Sequence, residues 1–259
     1  MDLGIAGRRA IVCASSRGLG KACAKALAEA GCDVVINGRT APALAEAERE
    51  IQQTAKGQVI SVLADVGTEQ GRAALLKACS DPDILVNNNA GPPPRDFRKL
   101  SHEDLLAGVE ANMMTPILLI QAVVDGMVQR KFGRIINITS GSVKMPLPLL
   151  DLSSGARAGL TGFLAGVARQ VAASNVTINH ILPGAFATDR LHSIMEKASK
   201  DRQVSFDQIA EDRRQTIPAR RFGEPDELGK LCAFIASAHA GFITGQNLLI
   251  DGGSFPSAF

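Results

Sequence analysis

Short apolar runs alternate with helix-period segments from one end of the chain to the other. The apolar runs predict β-strands at residues 9–13, 33–36, 58–63, 84–86, 134–138, 176–182 and 247–250. The segments between them have apolar residues at helical spacing and predict helices at residues 18–30, 41–54, 69–79, 102–129, 153–173 and 226–237. Because the strands are too continuously apolar to expose one face to water, they indicate a parallel sheet covered by helices on both faces.

The alternation runs through residues 1–259 without a break in composition, which predicts a single, doubly wound α/β domain of about seven strands. Residues 185–218 depart from this pattern because they are rich in charge and follow a strand without adding a new one. Their apolar positions, Leu191, Ile194, Met195 and Ala198, have helical spacing. Since this segment lies at the edge where the ligand crevice of such a sheet opens, we expect a mobile lid. A solvated insertion without a function is the alternative.

Composition narrows the possible functions. The chain is 46% apolar and 21% charged, with a net charge of +2 and few aromatic residues, so we do not expect a nucleic-acid partner. No unbroken apolar run approaches the ~20 residues of a membrane span, and the N-terminus lacks the pattern of a signal peptide. These features predict a cytoplasmic protein that makes no membrane contact. The cysteines lack metal-ligand spacing and predict buried, reduced thiols: Cys13, Cys23, Cys32, Cys79 and Cys232.

The first predicted strand runs into a glycine turn that opens a helix. Gly18 and Gly20 let the backbone approach a pyrophosphate, and the helix N-terminus supplies unpaired N–H groups. The second strand ends at Asn37-Gly38-Arg39, without the acidic residue that binds the 2′-hydroxyl of NAD. Arg17 and Arg39 can instead hold the 2′-phosphate of NADP. The alternatives are glycines that serve packing only and arginines that are plain surface charges.

Further motifs follow in a fixed order, namely Asp65-Val66, Asn87–Gly91, Asn112, Ser140, Pro183-Gly184, Thr188 and Asp251-Gly252-Gly253. Their order and spacing resemble those of the short-chain dehydrogenase/reductase family, and the gap from Asn112 to Ser140 is similar to that of its bacterial acyl-carrier-protein reductase branch. The resemblance covers essentially the whole chain and implies a single-domain Rossmann fold with NADP(H) as cofactor. It implies cofactor contacts at Ala14, Ser16, Arg17, Gly18, Leu19, Gly20, Arg39, Asp65, Val66, Asn88, Arg157, Pro183, Gly184 and Thr188.

Two details of this resemblance concern the cofactor region. Ala14 replaces the first glycine of the family's turn, and because it adds only a methyl group we expect cofactor binding to survive. Residues 87–91 can be aligned with the family's Asn-Asn-Ala-Gly either from the strand or from Gly91, and this choice stays open.

The resemblance also implies a catalytic group in which Asn112 orders water and Ser140 polarises the substrate oxygen. The family's Tyr-x-x-x-Lys begins thirteen residues after the serine, and Ser153 and Arg157 occupy those positions here. The chain contains no tyrosine, so no shift of the alignment supplies the phenol. A serine hydroxyl is shorter and far more basic than a phenol near a cation, so the usual proton donor is missing. Arg157 still offers a positive charge for the nicotinamide ribose.

Asp151 and His192 are the candidate replacements for the lost acid. The alternative for Asp151 is a helix N-cap, a role for which Ser153 and Ser154 compete, and for His192 an exposed helix position. Phe186 and Met145 are expected to border the substrate pocket or simply to pack.

We therefore expect an NADP(H)-dependent oxidoreductase acting on a small-molecule carbonyl or alcohol, by resemblance a ketone or a 3-oxoacyl compound. The family resemblance implies a homotetramer or dimer built through the helices at residues 102–129 and 153–173. One alternative is a protein that binds NADP(H) as a structural or sensing ligand without turnover. The other is a non-catalytic subunit of a hetero-oligomer.

Overall fold

All seven predicted strands join one parallel sheet in the computed structural model of the protein, which describes residues 1–257. The strands are β1 (Arg9–Val12), β2 (Asp33–Gly38), β3 (Val59–Leu63), β4 (Ile84–Asn87), β5 (Gly133–Ile138), β6 (Val176–Pro183) and β7 (Asn247–Ile250). Within the described residues the α-helices are α1 (Gly18–Glu29), α2 (Ala41–Gln52), α3 (Glu69–Ala78), α4 (His102–Val109), α5 (Thr115–Gln129), α6 (Asp151–Val171), α7 (Asp189–Arg202), α8 (Phe206–Gln215) and α9 (Pro225–Ala236). The predicted strands and helices are confirmed, with ends that differ by at most two residues.

The order of the strands is β3-β2-β1-β4-β5-β6-β7. β1 is therefore the point at which the order reverses, since Ala10 pairs with Val34 of β2 on one side and with Ile84 of β4 on the other. In a doubly wound sheet, the ligand crevice opens at the carboxyl ends of the strands beside such a point. The topology thus places the glycine turn that follows β1 at the mouth of this crevice.

Two apolar layers attach the helices to the sheet. Successive side chains of a strand point to opposite faces, and on β1 the side chain of Val12 packs in the cluster that contains α1, α2 and α9. Ile11 packs in the other cluster, which contains α3, α5 and α6. Both side chains are fully buried, as the continuous apolar character of the strands predicts. All five cysteines are buried and free, which confirms that part of the sequence analysis.

The predicted helix at residues 102–129 is interrupted by a π-turn, Glu110–Met114, between α4 and α5. By length and hydropathy alone the stretch His102–Gln129 is apolar enough to cross a membrane, although polar residues interrupt its apolar runs. Of its most apolar window, 44% is buried inside the fold. The core helix of a globular domain has the same composition, and α5 contributes Ile117, Leu119 and Ile120 to the core.

Residues 185–218 form the helical pair α7 and α8, which confirms their predicted helical spacing. Leu191 and Met195 of α7 pack against Ile209 and Ala210 of α8 in a small cluster separate from the two layers of the core. This pair follows β6 directly and lies beside the crevice.

Candidate active site

One cavity of about 540 Å³ lies at the carboxyl ends of the strands. It extends from the glycine turn after β1 to the first turns of α6 and α7. All of the predicted cofactor and catalytic residues line it except Gly20 and Asn112. The structure therefore brings together in one space the residues that the sequence distributes over more than 170 positions, from Ala14 to Thr188.

The glycine turn is shaped by close backbone contacts. Gly18 has a φ of +55° and Ala14 a φ of +45°, so the alanine occupies a left-handed conformation that favours glycine. A Cβ atom on Gly20 would lie 2.4 Å from the carbonyl oxygen of Ala14, which explains why only glycine fits there. Gly20 thus acts by letting α1 approach the turn, although it does not line the cavity itself.

Asparagine side chains from the two strands that flank β1 hold this turn in place. The backbone N–H of Ala14 donates to Asn37 Oδ1 of β2 at 2.6 Å. Asn88, just after β4, donates from Nδ2 to the Ala14 carbonyl at 3.2 Å. The strained turn is therefore held from both sides by amide side chains.

The N-terminus of α1 faces the cavity without a capping partner. Arg17 is the N-cap residue and its side chain makes no capping hydrogen bond, and no acidic residue lies in the first turn. The first N–H groups of a helix lack intrahelical acceptors and concentrate positive potential. This end of the cavity is consequently suited to an anion such as a pyrophosphate.

Two arginines flank the same end. Arg17 and Arg39 both line the cavity, and no carboxylate follows β2 at the position where NAD-binding proteins use one. The Arg39 side chain is 68% exposed, and its nearest acidic partner, Asp65, lies 3.8 Å away. Arg39 is therefore only loosely held and free to contact a ligand phosphate.

The opposite end contains the predicted catalytic positions Ser140, Ser153 and Arg157. Ser140 caps the short 3₁₀ turn Gly141–Val143, with its Oγ accepting from the backbone N–H of Ser142 at 3.1 Å. Because that contact uses the oxygen as an acceptor, the hydroxyl proton of Ser140 remains to be donated into the cavity.

Arg157 is buried beneath Ser153 on α6. Its Nε donates to Ser153 Oγ at 3.3 Å, and its Nη1 donates to the carbonyl of Ile138 at 2.9 Å. A longer bond of 3.4 Å joins Nη2 to the carbonyl of Asn89. Burial, and secondarily the positive charge of Arg190, lowers the pKa of Arg157 to about 10. The guanidinium thus stays charged at neutral pH.

Arg190 is a site residue that the sequence analysis missed. It lies in the first turn of α7 and reaches across the cavity mouth, donating to the carbonyls of Gly91 and Pro92 at 3.4 Å each. The available signal was its position two residues after Thr188, which the resemblance placed beside the nicotinamide. In the sequence it is one of the many charged residues of the segment 185–218.

Asn112 lies behind Arg157 rather than in the main cavity. It belongs to the π-turn, donates from Nδ2 to the carbonyl of Gly108 at 3.3 Å, and has a buried Oδ1 without a protein partner. Asn112 and Arg157 together line a second cavity of about 10 Å³. A space of that size, lined by polar groups, holds about one water molecule. Ordering of water by Asn112 remains a prediction that this geometry favours.

The three asparagines of residues 87–89 have separate roles. Asn87 ends β4 and donates from Nδ2 to Asn137 Oδ1 at 2.9 Å inside the sheet. Asn88 contacts the glycine turn, whereas Asn89 donates to the carbonyl of Ala111 at 3.2 Å. Of the three, Asn88 and Asn89 line the main cavity.

Neither candidate replacement acid lines the cavity. Asp151 is the first residue of α6 and Leu150 is its N-cap, so the predicted capping role of Asp151, Ser153 or Ser154 is wrong. The helix begins at Asp151, two residues before its predicted start at residue 153. His192 is exposed on α7, where it lies 3.3 Å from Glu196.

Two further residues, Phe186 and Met145, were candidates for the border of the substrate pocket. Phe186 lines the cavity and is buried, which confirms its predicted position. Met145 is not part of the cavity wall, which leaves the packing alternative for this residue.

Comparison with known proteins gives matches over nearly the whole chain. The sequence model of the family described as enoyl-(acyl carrier protein) reductase matches residues 13–254. The NADPH-dependent reductase BacG of Bacillus subtilis (strain 168) is 33% identical over 255 residues, which covers 96% of this chain and 98% of that protein. The 3-oxoacyl-(acyl-carrier-protein) reductase FabG of Vibrio cholerae is 33% identical over 257 residues, covering 98% of this chain and 99% of that protein.

The fold is also shared with solved structures. The L-sorbose reductase of Gluconobacter frateurii, in complex with NADPH and L-sorbose, superimposes with a TM-score of 0.94 at 28% sequence identity. The match covers 99% of this chain and 100% of that chain.

Proposed function

The chain belongs to the short-chain dehydrogenase/reductase family, and we propose that it is an NADPH-dependent oxidoreductase that reduces a small carbonyl compound. The observation that supports this proposal most strongly is the single cavity described above. It joins an anion-binding glycine turn at one end to Ser140, Ser153 and Arg157 at the other. A cofactor that spans the cavity would therefore present its nicotinamide to a substrate beside those three side chains.

The residues at the glycine turn fit NADP(H). The uncapped N-terminus of α1 supplies N–H donors for the pyrophosphate, and Gly20 permits the close approach of the turn. Arg17 and Arg39 supply positive charge for the 2′-phosphate, and no acid at the end of β2 opposes it. When bound, NADPH supplies the hydride. The relatives named above that are described as NADPH-dependent, or that contain NADPH, support the same cofactor.

The catalytic end can polarise a carbonyl but lacks the usual acid. The Ser140 hydroxyl would donate a hydrogen bond to the substrate oxygen while keeping its proton, and buried Arg157 would stabilise the negative charge that develops there. Ser153 is too short and too basic to replace a phenol, so the final proton comes from water. General acid catalysis contributes about 10²–10⁴-fold, and we propose that turnover is slower by this factor than with a tyrosine in place.

The serine at position 153, where the family has a tyrosine, also favours a second candidate function. A chain that retains the cofactor cavity but holds Ser153 in place of a phenol is also suited to bind NADPH as a sensing ligand without turnover. The two functions share the cofactor site and differ only in the chemical step.

We also propose a cytoplasmic homotetramer or dimer. Large apolar side chains remain exposed along α4, the π-turn and α6, namely Leu105, Leu106, Val109, Met114 and Phe163. Exposed large apolar side chains on neighbouring helices are a feature of many protein interfaces. Light scattering coupled to size exclusion is expected to give a dimer or tetramer, and a monomer at micromolar concentration would contradict this assembly.

The proposed function is tested in two stages. Titration of the protein with NADPH, followed by nicotinamide fluorescence, is expected to saturate below millimolar cofactor; no binding in that range contradicts both candidate functions. NADPH oxidation is then measured with a panel of ketones, 3-oxoacyl thioesters and oxo acids. Binding without oxidation of NADPH by any of them would favour the sensing role. Activity that falls in Asp151→Ala or His192→Ala would identify a substitute acid.

A further inference from the structure

Two guanidinium groups lie at the substrate end of the cavity without an acidic partner among residues 1–257. Arg157 uses its donors on Ser153 Oγ and on two backbone carbonyls. Arg190 contacts only backbone carbonyls, at 3.4 Å. Asp65 and Asp189 are the acidic residues of the cavity wall, and neither carboxylate lies within 4.0 Å of either arginine. The positive charge at this end is therefore not neutralised within the described part of the chain.

The Arg190 fork and the Ser153 hydroxyl lie beside the same residue, Gly91. A Cβ atom built on Gly91 would be in tight contact with all three atoms, at 3.2 Å from Arg190 Nη2, 3.3 Å from Arg190 Nη1 and 3.4 Å from Ser153 Oγ. The two side chains are therefore close enough to each other for one ligand group to contact both. A forked pair of N–H donors matches the two oxygens of a carboxylate.

The cofactor does not provide the missing negative charge at this position. Its phosphate groups are assigned to the N-terminus of α1 and to Arg17 and Arg39, so the cofactor would bring no other phosphate for Arg190 and Arg157. A buried cation without a counter-ion is costly. Burial, and secondarily the charge of Arg190, lowers the pKa of Arg157, in keeping with this cost. An anion on the substrate would relieve it.

We propose that the substrate is an oxo acid whose carboxylate is bound by Arg190 and Ser153, with the charge of Arg157 directly beneath. This inference rests on the proposed function for the reduction of the oxo group. The carboxylate site itself depends only on Arg190, Ser153 and Arg157. Residues 185–218 would then contribute to substrate binding, because the contact of Arg190 with the carboxylate would hold α7 close to the bound acid.

The test compares acids with their neutral esters by isothermal titration calorimetry, on the protein alone and on the protein saturated with NADPH. The probes are 2-oxobutyrate, acetoacetate, the methyl ester of each, and inorganic phosphate. At least one acid is expected to bind at least about tenfold more tightly than its ester, because a charge-assisted pair is lost with the ester. Equal binding of acid and ester, or no binding of either acid, would overturn the proposal. Phosphate that binds more tightly than both acids would also overturn it.

Substitutions at Arg190 locate the site. Arg190→Gln is expected to weaken acid binding by about 10- to 100-fold, and Arg190→Lys to recover part of the loss. Arg202→Gln is the matched control, since Arg202 is an exposed arginine at the far end of the same helix and outside the cavity. Acid binding to Arg190→Gln as tight as to the wild type refutes the assignment.

The titrations distinguish this inference from the proposed function. NADPH binding is measured separately in every variant. A chain that fails to bind NADPH refutes the reductase proposal, whereas the acid and ester titrations without cofactor still decide the carboxylate site.

Discussion

Replacing Arg39 with alanine is expected to weaken the binding of NADPH much more than that of NADH, which lacks the 2′-phosphate. The Arg39 side chain is 68% exposed, and the one ion pair that it makes within residues 1–257, with Asp65, spans 3.8 Å. Exposed pairs of this kind contribute about 0–1 kcal/mol to stability, so the variant should fold like the wild type. A charge-assisted hydrogen bond to a phosphate is worth about 1.5–3 kcal/mol, which corresponds to a loss of about 10- to 150-fold in NADPH affinity.

The assay is a fluorescence titration of each protein with NADPH and with NADH. NADH lacks the 2′-phosphate, so its affinity should change by less than about twofold. Arg49→Ala is the control, because Arg49 is a similarly exposed arginine, 72%, that does not line the cavity. If Arg39→Ala weakens both cofactors equally, or neither, the reasoning about the end of β2 is refuted.

Three further predictions concern the fold and the glycine turn. Burial lowers the pKa of His180 from 6.5 to about 4. As the pH falls below about 6.5, His180 therefore takes up a proton in the unfolded chain before it does so in the folded protein. The contribution of His180 to the free energy of unfolding is complete above about pH 6.5 and decreases by about 3 kcal/mol as the pH falls to 4. Urea unfolding across this range should show a shallower loss in His180→Gln, and an unchanged slope would contradict the assignment. Ala14→Gly relieves a φ of +45° and should raise the melting temperature by a few degrees, or about 1 kcal/mol, without weakening NADPH binding; a lower melting temperature would argue against strain. Gly20→Ala forces a Cβ to 2.4 Å from a carbonyl oxygen and should reduce both NADPH affinity and thermal stability, and full retention of both would contradict the close approach.

The fold was predictable because its signals are local and repeated. The continuous apolar character of β1 follows from burial on both faces, which Ile11 and Val12 demonstrate on opposite sides of the sheet. The glycine turn was predictable for a related reason, since Gly18 and Gly20 meet backbone requirements that other residues meet poorly or not at all.

The remaining features depend on contacts that are distant in sequence. Arg190 reaches the carbonyls of Gly91 and Pro92 across about a hundred residues. Its position after Thr188 places it near the nicotinamide end but does not indicate those two partners. The start of α6 was misjudged because three polar residues at positions 151, 153 and 154 each resembled an N-cap, whereas the helix begins after Leu150. For Met145 the sequence left a pocket position and a packing position open, and the cavity wall does not include it.

We propose that the chain retains the hydride-transfer site of its family and lacks the tyrosine that donates the proton. The direct test compares the rate of NADPH oxidation by the wild type and by the Ser153→Tyr/Arg157→Lys variant on the same carbonyl substrate at saturating cofactor. We predict that the double variant is faster by about 10²–10⁴-fold. A wild type that is as fast as a double variant that binds NADPH equally well would contradict it.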